Sequence, residues 1–377
     1  MGFHMASSTN HIKFLGAATL LLCIWFVFTF PHKSHQSYVP NFTGQPLPKQ
    51  DTPHNGTKLS ALDMLPLSEA EDYCARRRWP VYPHRGSRRK VYDLMLINTE
   101  LEWLSIRMGQ MASHVDFFVI IEADKTFTDT PKPLHVRENW DLFKDYHHKM
   151  IRHTLNMDNV EFDGTWGREG FSRDAMYDQV IPYLEGEQEA FKGDVLLVSD
   201  VDEIPRPDAI VALRNCDFPE GVTIHTKMYY YGFQWAQRND WPHPQATFYN
   251  FDDTVLPDTL RGIGEAGDHI YNGGWHCSYC FPTVQEMVTK IKSFSHTELD
   301  KEEFTDRDKI VERVRTGKDM FDREEEPLDR VEDNPDVPRF LRRNAERYSY
   351  MLDRDPKNAN FRDVEVKRGS AGLAAGE

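Results

Sequence analysis

Residues 193–207 read GDVLLVSDVDEIPRP, and this stretch decides the fold class. Val195, Leu196, Leu197 and Val198 form an apolar, largely β-branched run of the length and composition of a buried strand. The run stops at Ser199 and delivers Asp200, Asp202 and Glu203 within four residues. Pro205 and Pro207 bar the strand from continuing and hold the acidic cluster in a loop. In an open α/β sheet, ligands bind at the carboxyl ends of strands, so the loop stands where chemistry is expected. Two carboxylates one residue apart reach one hard cation, Mg²⁺ or Mn²⁺, which keeps positions open for phosphate oxygens. The same residues also suit a solvated turn, with Asp208 as the N-cap of a following helix. Spacing by itself does not choose between the two.

Upstream, VYDLMLIN (Val91–Asn98) predicts a strand and Leu101–Ser113 a helix, with Leu104, Met108 and Met111 on one face. VDFFVIIEA (Val115–Ala123) predicts a second buried strand, which ends at Glu122, Asp124 and Lys125. Trp140–Met150 reads as helical, His153–Val160 as a strand, and Phe171–Glu189 as a long helix leading into the central strand. Strands alternating with helices, without an internal repeat, predict a mainly parallel α/β sheet. Beyond it come a helix over Ala209–Arg214, an aromatic strand VTIHTKMYYYGF, and Trp235 and Trp241. These aromatics serve either a plain core or the stacking of sugar rings. The glycine-rich stretch Gly262–Cys280 lacks the order of a phosphate-binding P-loop. Pro338–Leu352 reads as a closing amphipathic helix, and the polar tail from Pro356 as frayed.

The chain has 377 residues, 40% of them hydrophobic and 28% charged, enough for one large folded domain. A net charge of −15 argues against a nucleic-acid surface, which needs a basic footprint. An acidic protein that handles a diphosphate must neutralise it locally, with a metal or a few arginines. Phe14–Phe30 is a run of seventeen residues without a charge, spanning roughly 26 Å as a helix. No small-residue cleavage site follows it, so an uncleaved signal anchor is expected rather than a cleaved signal peptide. Asn41-Phe42-Thr43 and Asn55-Gly56-Thr57 are glycosylation acceptors if the downstream part is lumenal. The expected organisation is a short cytoplasmic tail (1–13), a transmembrane anchor (14–30), a flexible stem (31–67), a catalytic domain (68–355) and a disordered tail (356–377). Of the five cysteines, Cys23 lies in the anchor. Cys277-x-x-Cys280 suits a redox pair, half a zinc site or structural sulfurs, and disulfides of unknown connectivity are expected in an oxidising lumen.

Four stretches together carry a family resemblance: FFVIIEADKTFTDTPKPL, GDVLLVSDVDEIPRP, GGWHCSYCF and PRFLRRNAERYSYMLDR. Over about Lys90–Arg354, and in the right order, the chain resembles glycosyltransferase family 17. The resemblance implies a GT-A-like nucleotide-diphospho-sugar transferase domain, UDP-GlcNAc as donor and a divalent metal, usually Mn²⁺. It implies a type II Golgi membrane protein that adds N-acetylglucosamine to a glycan acceptor, with the β-mannose of an N-glycan core as one such acceptor. It carries Asp200 and Asp202 over as metal and donor-diphosphate residues, with His276 of the WHC motif as a further ligand or a buried structural histidine.

Making a β-linkage from an α-linked donor requires inversion and in-line attack by an acceptor hydroxyl. The metal and an arginine, for which Arg173 is the candidate, stabilise charge growing on the leaving UDP. A carboxylate acts as general base; Glu265 and Asp268 lie where an acceptor-side loop is expected. Glu122 and Asp124 are placed near the donor's nucleoside. Two rival readings are a metal-dependent phosphohydrolase and a non-catalytic glycan-binding protein on a transferase fold.

Overall fold

A computed structural model describes residues 65–158 and 160–365. The predicted anchor and nearly all of the predicted stem lie outside these residues, and among the described ones no helix is long and apolar enough to cross a membrane. The strands are β1 (Val91–Leu96), β2 (Phe117–Ala123), β3 (Met150–Leu155), β4 (Val195–Asp200), β5 (Glu203–Pro205), β6 (Val222–Tyr230), β7 (Gly232–Gln237), β8 (Gln245–Phe248), β9 (Asp268–Ser278) and β10 (Leu328–Arg330). The longer helices are α1 (Leu67–Ala75), α2 (Leu101–Met111), α3 (Gly164–Asp178), α4 (Pro207–Asn215), α5 (Pro257–Arg261), α6 (Val284–Ser293) and α7 (Arg307–Thr316).

All ten strands join one sheet, in the order β10-β7-β6-β8-β4-β1-β2-β3, with β9 against β6 and β5. Its first half, β4-β1-β2-β3, is parallel as expected. β1, β2 and β4 are covered on both faces, which is why they read as mainly apolar runs, whereas the edge strand β3 leaves Thr154 exposed. One hydrophobic cluster gathers Val195, Leu197, Phe118 and Ile120 with α2 and α4. The other gathers Leu196, Tyr92, Val119 and Ile121 with α3.

The remaining half departs from the expected mainly parallel sheet. β8 runs antiparallel to β4 and β6, and β7, β10 and β5 add antiparallel pairs, leaving β6–β9 as the one parallel pairing there. The glycine-rich stretch expected as a loop contributes β9, an eleven-residue strand. Gly274 is required by close packing, since a Cβ there would stand 2.6 Å from the Ile204 carbonyl oxygen. A register shift beside Ile224–Thr226 bends the β6–β9 pair, and Tyr231 at φ 64° separates β6 from β7.

Other boundaries moved for identifiable reasons. β3 begins at Met150 rather than His153, and Trp140–Lys149 forms 3₁₀ turns. The long helix expected over Phe171–Glu189 is α3, which starts at Gly164 and ends at Asp178. Pro182, in the following 3₁₀ turn, cannot donate to a continuing helix. Helix α4 starts at Pro207 in its first position, so Asp208 lies in the first turn rather than at the cap. The closing helix is two short pieces, Arg339–Arg343 and Ser349–Leu352, interrupted at Asn344. The tail does not fray at Pro356: Ala359 and Phe361 are buried, and Arg354 donates to the Ala359 carbonyl at 2.9 Å. Disulfides join Cys74 to Cys216, tying α1 to the end of α4, and Cys277 to Cys280 at the end of β9.

Candidate active site

Strand β4 ends at Asp200, the turn Val201–Asp202 follows, and Glu203 begins β5. This tight reversal is pinned from beneath by Arg107 of α2, which is wholly buried. Its guanidinium pairs with Asp93 at 2.6 Å and donates to Ser199 Oγ at 2.7 Å. It also donates to the carbonyls of Asp200 at 3.2 Å and Glu203 at 2.5 Å. The turn closes on itself as well, the Asp200 amide donating to Glu203 Oε2 at 2.9 Å. Three carboxylates are thereby fixed on one short segment, and each meets different partners.

Asp200 faces α3 and α5. Arg173 Nη1 stands 2.9 Å from its carboxylate and Arg261 Nη2 3.3 Å away. Burial opposes ionisation, but these two guanidinium groups outweigh it and hold the acid well below the usual carboxylate range. Glu203 is fully buried. It receives Arg261 at 2.7 Å and the Trp241 indole N–H at 2.7 Å. Burial would raise its pKa, yet Arg261 brings it down to about 2. Asp202 differs from both. Among the described residues no arginine reaches it; its neighbour is His276, with Nε2 3.6 Å from Oδ2. Burial would discharge the imidazole, and Asp202 reverses this, raising the His276 pKa. The other ring nitrogen, His276 Nδ1, is buried without a hydrogen-bond partner.

Lys290 of α6 completes the electrostatics. It sits 3.2 Å from Glu100, and against burial the charges of Glu100, Asp202 and Asp200 keep it protonated. Helix α6 also borders an open cavity of about 1080 Å³. Asn98 and Thr99 after β1, Thr126, Thr128 and Lys132 after β2, and Lys292 line it. The cavity therefore lies at the carboxyl ends of β1 and β2, beside the point where the parallel order reverses between β1 and β4.

The expected site residues do not all gather here. Asp200, Asp202, Arg173 and His276 do. Glu122 does not: buried at the end of β2, its carboxylate accepts the amides of Val136 and Arg137, each at 3.0 Å, and so caps a helical turn. Asp124 is exposed in the loop after β2, next to the segment lining the cavity. Asp268 accepts the Trp79 indole N–H at 2.7 Å. It pairs in register with Val222, which is in register with Ala246 and, through it, Leu197. Side chains alternate along a strand, so Asp268 points to the sheet face opposite Asp200. The acceptor-side loop expected there is the start of a strand. Glu265 lies in the 3₁₀ turn Gly264–Ala266 just before it.

Arg261, Arg107 and Lys290 escaped the sequence reading, and Trp241 entered it only as a core or sugar-stacking aromatic. Each meets the acidic turn from a distant segment. Only Glu203, three residues from Asp200, had a local signal. A metal fits this donor set in kind, through the Asp202 carboxylate and His276 Nε2, whose 3.6 Å separation one cation can bridge. It does not fit as the expected three-ligand group, because Asp200 is committed to arginines. Among the described residues no three His, Cys, Asp or Glu side chains converge as a ligand set.

A family profile described as Glycosyltransferase family 17 matches residues 9–358. Curated relatives include the β-1,4-mannosyl-glycoprotein 4-β-N-acetylglucosaminyltransferases of Homo sapiens and Rattus norvegicus. The human protein is 24% identical over 303 residues, 70% of this chain and 55% of the relative. The rat protein is 24% identical over 72% of this chain and 56% of its own length. The chain thus spans about half the length of the curated relatives it matches. Solved structures resemble it weakly. An inositol-1-phosphate CTP transferase from T. maritima has a TM-score of 0.31 and 10% identity, covering 51% of this chain and 89% of that one. A mannosyltransferase from Pyrobaculum calidifontis, in complex with GDP-Man and Mn²⁺, has a TM-score of 0.30 and 9% identity, covering 78% and 79%. No residue role is carried over from either structure.

Proposed function

The chain belongs to glycosyltransferase family 17, and from that premise we propose that it transfers N-acetylglucosamine from UDP-GlcNAc to a glycan with inversion at the sugar carbon. The acceptor we favour is the β-mannose of an N-glycan core, through a β-1,4 linkage, in the Golgi lumen. One observation carries this reading: a rigid acidic turn at the carboxyl end of β4 brings Asp202 Oδ2 to 3.6 Å from His276 Nε2, a spacing that one cation can bridge.

In this reading Asp202 and His276 would hold a divalent cation, Mn²⁺ by preference, which when bound neutralises charge developing on the leaving diphosphate. Two protein ligands suit such a cation, which leaves its other positions to waters and substrate phosphates. The chain's own residues do the rest. Arg107 prevents the turn from relaxing, so the carboxylates are preorganised before the donor arrives. Arg173 and Arg261 keep Asp200 ionised and fixed while cancelling part of the turn's negative charge. That lowers the repulsion a diphosphate would meet there. Lys290 adds a positive charge near the turn. The cavity is roomy enough for a nucleoside, at or above the upper end of common ligand sites, about 1,000 Å³.

The test offers UDP-GlcNAc, UDP-Gal, UDP-Glc and GDP-Man to the full chain with Mn²⁺ and follows nucleotide release with and without an N-glycan mixture. Acceptor-dependent release from UDP-GlcNAc alone, abolished by chelation, is expected. Absence of nucleotide binding altogether would overturn the proposal.

A further inference from the structure

The face of the sheet that carries Asp200 continues sideways across three more strands. Val198 of β4 pairs with Gln245 of β8, Gln245 with Thr223 of β6, and Thr223 with His269 of β9. Residues in register share a face, and so do residues two apart on one strand. One step towards the carboxyl end of β4, this row runs from Asp200 past His243 and His225 to Tyr271. The contacts confirm the row. Arg261 spans Asp200 and Gln245, at 3.3 and 3.4 Å, and His243 Nδ1 meets Gln245 Oε1 at 2.8 Å. Trp241 packs against His243 at a tilt, with centroids 4.9 Å apart. His225 Nε2 meets His269 Nδ1 at 3.0 Å.

Tyr271 ends the row in an unusual state for a tyrosine: it is 67% exposed, yet its ring lies flat. It stacks on His225 with centroids 4.5 Å apart at 23°, and on His269 at 5.5 Å and 26°. His225 beneath it is buried. The lower face of the phenol is thus occupied by imidazole and the upper face is turned to solvent. An exposed aromatic ring, immobilised in advance, offers apolar area at low entropic cost. Its own hydroxyl adds one hydrogen-bonding edge.

We propose that Tyr271, supported by His225 and His269, is a carbohydrate-stacking subsite that holds a sugar ring of the glycan acceptor away from the reacting hydroxyl. Three strand spacings separate the Asp200 and Tyr271 positions, on the order of 15 Å. That is the reach of a short oligosaccharide rather than of one sugar, so the subsite selects an extended glycan. The apolar C–H face of a pyranose lies on the upper face of the phenol. This inference rests on the proposed transferase reading only for the identity of the ligand as acceptor. Glycan binding itself can be measured without turnover.

The experiment titrates a biantennary N-glycan oligosaccharide, and separately free N-acetylglucosamine, into the full chain, the Tyr271→Ala variant and the Tyr271→Trp variant. Titration calorimetry reads the affinity in the absence of donor, and thermal melting verifies folding. Tyr271→Ala should weaken oligosaccharide binding about tenfold or more, the loss of one ring stack. It should leave UDP-GlcNAc binding and binding of the free monosaccharide at the reaction centre unchanged. Tyr271→Trp should retain the oligosaccharide. Equal oligosaccharide affinity in wild type and Tyr271→Ala, or no oligosaccharide binding to a folded wild type, would overturn the subsite. Tyr271-dependent glycan binding in a protein that neither binds nor turns over UDP-GlcNAc would uphold the subsite while removing the transferase reading.

Discussion

The two halves of the sheet solve different problems. In the parallel half, β3-β2-β1-β4, polar side chains inside are few: Asp93 pairs with Arg107, Glu122 accepts two backbone amides, and His153 of β3 meets Gln179 through Nε2 while its own Nδ1 is buried without a partner. In the mixed half, β8-β6-β9-β5, buried polar groups include His225, Glu203, Gln245 and His276. One of them, His276, keeps a buried nitrogen without a partner. Continuous burial on both faces leaves a strand no room for chemistry. A half built of short antiparallel pairs, bent by a register shift, can aim polar groups at a ligand. The acidic turn belongs to both: it ends a strand of the first half and begins one of the second.

Breaking the anchor between the halves should have the largest effect on stability. Arg107→Met leaves Asp93 charged, buried and unpaired and releases the carbonyls of the turn. A loss of about 3–5 kcal/mol is expected in denaturant unfolding. Cutting the Cys74–Cys216 bond, which closes a loop across 142 residues, should cost about 2–5 kcal/mol, read as a fall in Tm of Cys74→Ser/Cys216→Ser. Because that bond lies behind the parallel half, turnover of the folded fraction should persist.

Arg261→Ala should have a smaller effect, and one that depends on pH. Arg261 lowers the Glu203 pKa from its usual range to about 2 in the folded protein. A depressed carboxylate contributes stability that is complete above its unfolded pKa, about 4.3. The contribution is lost as pH falls from there through about 2. Removing Arg261 removes that contribution. Wild type should therefore melt well above the variant at pH 7, and the gap should shrink steadily below pH 4.5. A gap that widens on acidification would contradict the assignment. The smallest effect is expected in the parallel half: Glu122→Ala loses a helical cap, about 1–2 kcal/mol in urea unfolding, with kcat and the donor KM unchanged. A selective rise in donor KM would return Glu122 to the nucleoside site.

The same contrast explains what the sequence made legible. Strands β1, β2 and β4 are mainly apolar runs, broken inside β1 only by Asp93, and readable because burial on both faces favours that composition. The acidic turn was readable because Pro205 and Pro207 punctuate it. Helix α3 and the closing helix were over-extended because periodicity alone ignores Pro182 and the break at Asn344. β9 was hidden by glycines that serve close packing against Ile204 rather than a loop. The pairing of Arg261 and Trp241 with Glu203 was invisible, since Glu203 lies 58 and 38 residues away and only the sheet's topology joins them. Asp268 misled for the converse reason: close to WHC in sequence, it projects from the other face of the sheet.

That last contrast supplies the most direct test. UDP release from UDP-GlcNAc with a glycan acceptor and Mn²⁺ would be measured for wild type, Asp202→Asn and Asp268→Asn. Asp202→Asn should lose on the order of 10³-fold in kcat, the scale of removing one preorganised charged group at a reaction centre. Asp268→Asn, which keeps an acceptor oxygen for Trp79, should stay within about twofold. Near-normal turnover in Asp202→Asn together with a collapse in Asp268→Asn would place the chemistry on the opposite face and contradict the account.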